Sequence, residues 1–76
     1  MSPEKLTNMV NQIGKFFANQ PEDKAVANIA DHLRKYWEPR MRKAILDHLA
    51  EGGAGLDPLA RKAVATLQAV AATSPI

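Results

Sequence analysis

The chain contains no cysteine. That removes disulfides, thiolate zinc sites and cysteine-ligated iron–sulfur clusters together. Aromatic residues are scarce, with one Trp, one Tyr and two Phe among 76 residues. No apolar run approaches the ~18 residues that a membrane span requires. The opening Met1-Ser2-Pro3-Glu4-Lys5-Leu6 has no apolar stretch of the kind a secretory signal carries. A soluble, cytoplasmic protein is therefore expected. Also missing are G-x-S-x-G, the P-loop and the glycine-rich dinucleotide fingerprint, so no catalytic set and no cofactor site is expected. His32 and His48 are not spaced as helical metal ligands and read as residues at the borders of apolar faces.

Size limits the rest. Seventy-six residues make a single domain. A chain this short buries only about 60% of its unfolded surface, and without disulfides it must rely on tight helix packing, self-association or a partner subunit.

What is present is regular punctuation. Pro3, Pro21, Pro39 and Pro58 recur at spacings of 18, 18 and 19 residues. Each precedes a segment with helical apolar periodicity, and proline suits a first helical turn because its fixed φ fits and its missing N–H is not needed there. An all-α fold of four helices follows, at about 3–18, 21–37, 39–51 and 58–72, with a tail at 73–76. No residue-level repeat accompanies the prolines.

In the first helix Leu6, Met9, Val10, Ile13, Phe16 and Phe17 fall in an arc of about 120°, with Ser2 as N-cap. Gly14 stands at the edge of that arc, where it would allow a close helix approach. In the second helix Ala25, Val26, Ile29, Ala30, Leu33, Tyr36 and Trp37 make the apolar arc. Glu22 and Asp23 at its start, and Arg34 and Lys35 at its end, complement the macrodipole. Met41, Ile45, Leu46 and Leu49 face inward from the third helix, which the glycines of Gly52-Gly53-Ala54-Gly55 stop. The fourth helix, with Asp57 as N-cap, offers only a narrow stripe of Leu59, Ala63, Val64, Leu67 and Val70. Its alanines favour helix but supply little volume. The expectation is a compact three-helix core over residues 3–51 on which a fourth, Ala-rich helix docks most weakly.

One stretch stands apart. His32 to Lys43 holds the only Trp, the only Tyr and five of the ten basic residues. Its charge is +4, which leaves −2 for the rest of a chain whose total is +2. Because residues before proline avoid the α region, Glu38 must break the second helix from the third, giving a sharp corner with Trp37 inside. Trp37 and Tyr36 read either as core or as half-wet contact residues. Lys43 has Asp47 four residues on, while Arg34 and Lys35 are explained by the helix C-terminus. Arg42 falls within the apolar arc of the third helix. Either it snorkels outward with its stem packed, or its planar fork meets a carboxylate or phosphate on a partner.

Two segments of this corner and its approach carry a resemblance. Met9-Val10-Asn11-Gln12-Ile13-Gly14-Lys15-Phe16-Phe17, followed by Ile29-Ala30-Asp31-His32-Leu33-Arg34-Lys35-Tyr36-Trp37-Glu38-Pro39-Arg40-Met41-Arg42, resembles the delta subunit of NAD-dependent formate dehydrogenases. The likeness runs from about Leu6 to Leu49, and the W-[DE]-P-R-M-R element at Trp37–Arg42 is its most specific part. The Ala-rich helix adds nothing to it.

The resemblance implies a bacterial complex that oxidises formate and reduces NAD. Its alpha subunit carries a molybdenum or tungsten pterin cofactor with iron–sulfur clusters, and its beta and gamma subunits carry flavin and further clusters. The delta subunit itself would hold no cofactor and would serve assembly, stability or the cofactor-competent state. The expected function is thus a non-catalytic accessory subunit. It would dock on a larger subunit, the alpha subunit first, through Arg34, Lys35, Tyr36, Trp37, Glu38, Arg40 and Arg42. The alternative is a small basic helical protein that binds nucleic acid through the same corner. The slight charge excess, Asp47 and Glu51 argue against it.

Overall fold

The computed structural model describes residues 2–73, with side chains as far as Ala69. Of the expectations for the C-terminal end, the Val70 side chain and the tail from Ser74 onward lie outside the described residues. Four helices follow one another, α1 (Pro3–Phe17), α2 (Glu22–Tyr36), α3 (Pro39–Ala50) and α4 (Pro58–Thr73). No strand occurs among the described residues. The fold is a small all-α bundle.

The proline signals act as local chemistry requires. Ser2 caps α1, its Oγ accepting from the Lys5 N–H at 3.2 Å, with Pro3 next. Pro21 sits one place earlier than expected, as the N-cap of α2, and its carbonyl accepts the first helical bond from the Ala25 N–H. Pro39 and Pro58 each open their helix. At the end of α3, the Gly53 N–H donates to the His48 carbonyl at 2.9 Å and the Gly52 N–H to the Leu49 carbonyl at 3.0 Å. This is the paired Schellman closure, and it needs the positive φ of Gly52 (117°).

The core contradicts the expected ranking of the helices. Leu6 and Val10 of α1, Ile29, Ala30 and Leu33 of α2, Trp37, and Ile45 of α3 are buried. With them are Leu56 and four residues of α4: Ala60, Ala63, Val64 and Leu67. The pairing of α2 with α4 is the most extensive in the molecule. Far from docking weakly, α4 is the helix on which α2 lies. The reason is the feature that argued for weakness. Three alanines, Ala30 of α2 and Ala60 and Ala63 of α4, lie in the buried cluster with Val64 and Leu67, and small side chains let packed helices sit close. Lys62 seals the outer edge by pairing with Glu22 at 2.6 Å. It is α3 that is least enclosed, with Ile45 its sole fully buried residue.

Asn11 ties the glycine linker to α1. Its Nδ2 donates to the Gly55 carbonyl at 2.9 Å, and its Oδ1 accepts from the Asp57 N–H at 2.9 Å. Two backbone groups just ahead of α4 are satisfied by one amide.

Gly14 is buried, yet a Cβ built there would sit 3.9 Å from Ile29 Cδ1 and 4.0 Å from the Ala60 Cβ. Those are ordinary contacts, so the close approach does not demand glycine. Gly14→Ala should stabilise the protein by about 0.5–1 kcal/mol through restriction of the unfolded chain. A thermal melt compared with the wild type checks this, and a lower midpoint would mean that the helix seam is tighter than these distances imply.

Candidate functional site

The α2–α3 corner is built by a change of backbone direction across two residues. Trp37 (φ −86°, ψ 141°) and Glu38 (φ −67°, ψ 152°) are both extended, which Pro39 enforces on Glu38. The turn folds Trp37 inward, where it is 6% exposed and joins the core cluster. Its neighbour Tyr36 points outward and is 73% exposed. It rests against His32, with ring centroids 4.8 Å apart. The apolar arc that placed Tyr36 with the core residues of α2 is corrected here: its side chain lies outside the core cluster. Phe16, in the last turn of α1, is likewise exposed, at 78%.

The basic residues divide sharply. Arg34 and Lys35 both pair with Asp31, at 2.7 and 3.0 Å. These hydrogen bonds, Lys35 first and Arg34 second, hold the Asp31 carboxyl below the usual carboxylate range. Their stabilising effect is present near neutral pH and is lost as pH falls through that range, and solvent screening keeps it small. Lys43 pairs with Asp47 at 3.0 Å on an open face.

Arg42 has acceptors within its own chain, a third possibility beside the two readings offered for it. Its Nη1 donates to the Arg34 carbonyl at 3.1 Å and, closer, to the Trp37 carbonyl. The Arg34 carbonyl belongs to the last turn of α2 and the Trp37 carbonyl to its C-cap residue, where helical acceptors lack helical donors and the macrodipole is negative. Arg42 therefore caps the helix before its own. Arg61 does the like at the next junction, its Nη2 donating to the Gly53 carbonyl at 3.0 Å. Both arginines stand three residues after a helix-opening proline, in Pro39-Arg40-Met41-Arg42 and Pro58-Leu59-Ala60-Arg61.

Glu38 and Arg40 remain. Both are exposed, and neither side chain has an ion pair or hydrogen bond among the described residues. Glu38 is the N-cap of α3, yet its carboxylate makes no capping bond. Between them lies a depression of about 220 Å³ lined by Leu6, Glu38, Arg40, Met41 and Ala44. Sequence reasoning missed Met41 and Ala44 as partly exposed lining beside the buried Leu6, because all three follow the apolar periodicity of their helices. Of the seven residues expected at the corner, Tyr36, Glu38 and Arg40 face outward without a charged partner. Arg34 and Lys35 face outward already paired, and Trp37 and Arg42 are turned to the protein's own interior and backbone.

Residues 5–64 match the model of the NADH-dependent formate dehydrogenase delta subunit FdsD. The chain belongs to that family. The match reaches beyond the W-E-P-R-M-R element, across the glycine linker and into α4. The family pattern thus includes the first part, residues 58–64, of the helix that sequence reading set aside. No curated protein and no solved structure matches the chain. Among the described residues no group of three or more His, Cys, Asp or Glu is placed to hold a metal ion, and no helix is long and apolar enough to cross a membrane.

Proposed function

We propose that this formate dehydrogenase delta subunit is a non-catalytic accessory chain of a cytoplasmic bacterial complex. It docks on a larger subunit, the molybdenum- or tungsten-carrying alpha subunit first, and supports assembly, stability or the cofactor-competent state. The observation that carries the docking reading is Tyr36, a large aromatic left 73% exposed at the corner where Glu38 and Arg40 are unpaired. Tyrosine and arginine are enriched among residues that dominate interface energies, because each combines contact area with directional hydrogen bonding. The pairing of Arg34 and Lys35 with Asp31, and of Arg42 with carbonyl groups, leaves little cationic surface for a phosphate backbone.

The test is recovery of the complex. A tagged chain expressed in its native cell should co-purify with the alpha subunit. Tyr36→Ala should lower that recovery about five- to thirty-fold, the loss of one aromatic anchor worth about 1–2 kcal/mol. Its melting temperature should stay at the wild-type value. Retention of nucleic acid in place of any dehydrogenase subunit, with affinity falling steeply as salt rises, would replace the docking reading with a phosphate-binding one.

A further inference from the structure

The depression between α1 and α3 has an apolar floor and a rim of mixed charge. Leu6, Met41 and Ala44 make the floor, with Glu38 and Arg40 at the rim. The other charged residues of the corner have partners: Arg34 and Lys35 on Asp31, Lys43 on Asp47, and Arg42 on carbonyls at the end of α2. One acid and one base are thus left free on the edge of one apolar hollow. The extended backbone at Glu38 and Pro39 between them fix where the two residues leave the chain.

We infer that this hollow is the anchor pocket of the docking corner. It takes one aliphatic or aromatic side chain from a segment of the larger subunit, with an acidic group of that segment facing Arg40 and a basic group facing Glu38. The inference rests on the docking reading above and specifies its partner chemistry. A polyanion does not suit the rim, because Glu38 would repel it, whereas a protein segment can present both signs around one apolar residue. The hollow has room for a single anchoring side chain, the usual content of a hot-spot pocket. Paired opposite charges at its edge would fix the direction in which the segment lies.

Three variants test this in the full chain, each scored by recovery of the alpha subunit and by melting temperature. Arg40→Glu and Glu38→Arg reverse one rim charge each at exposed positions. Ala44→Leu fills the hollow. Each should lower recovery about tenfold or more, since a like charge or a lost pocket acts directly on the contact. Lys43→Ala, on the open face with Asp47, should leave recovery unchanged. If Ala44→Leu fails to fold, the two charge reversals decide the matter. Wild-type recovery from both reversals, with the wild-type chain itself co-purifying, would overturn the pocket and leave the accessory-subunit reading standing. Absence of any dehydrogenase subunit with the wild-type chain would overturn that reading, and the pocket with it.

Discussion

Truncating the chain after Gly53 should leave a polypeptide with no cooperative thermal transition. Removal of α4 and its approach deletes Leu56, Ala60, Ala63, Val64 and Leu67, all of them buried. The three larger side chains alone account for about 5–9 kcal/mol at roughly 1.5–3 kcal/mol each. A chain of 76 residues has only about 4–11 kcal/mol of net stability, at roughly 0.05–0.15 kcal/mol per residue. The truncated product would also expose the faces of Ile29, Ala30 and Leu33 that α4 covers. Circular dichroism during heating is the measurement. The expected trace has reduced helicity and a broad, featureless slope. A sharp sigmoidal melt with most of the helicity of α1 to α3 retained would show that the first three helices form a core of their own.

Arg42→Ala should be the most damaging substitution at an incompletely buried position. The guanidinium serves two carbonyls at the end of α2, and hydrogen bonds to a charged donor contribute about 1.5–3 kcal/mol. Losing them returns the end of α2 to unsatisfied acceptors beside a buried Trp37, whose orientation depends on that turn. A cost of about 2–3 kcal/mol corresponds to a melting temperature roughly 10–20 °C lower for a domain of this size. Both bonds come from Nη1 alone, so Arg42→Lys should recover part of the loss, its ammonium being a donor on a more flexible stem. Lys43→Ala, one residue along, should melt within a degree or two of the wild type, its exposed pair with Asp47 being worth little. Coincident melts for Arg42→Ala and Lys43→Ala would remove Arg42 from the architecture.

The helix boundaries were legible because proline and glycine constrain backbone directly, and each expected end lies within a residue of the observed one. The rank of α4 was not. A helical wheel weighs apolar bulk, whereas the buried cluster includes the small Ala30, Ala60 and Ala63, and burial is a property of the helix pair. Phe16 and Tyr36 lie in apolar arcs and are nonetheless exposed, since a wheel gives a direction around the axis and not what stands opposite it. Arg42 was visible as an anomaly, but its partner was not. The acceptors belong to the preceding helix, and only the tightness of the Trp37–Pro39 turn brings them within reach. A signal was nonetheless present. An arginine three residues after a helix-opening proline occurs twice, at Arg42 and Arg61, and each reaches back to a carbonyl at the junction before it. The pocket at Glu38 and Arg40 was half legible, as charges without partners, while its floor looked like ordinary core.

The place of α4 in the core also orders events at the ribosome. Translation delivers the four helices in sequence, and the one that covers α2 arrives last. Until then the nascent chain carries Ile29 and Leu33 on an uncovered face, and no finished domain exists on which to build. Chains generally fold in whole units as they emerge, and here the unit closes only with its fourth helix.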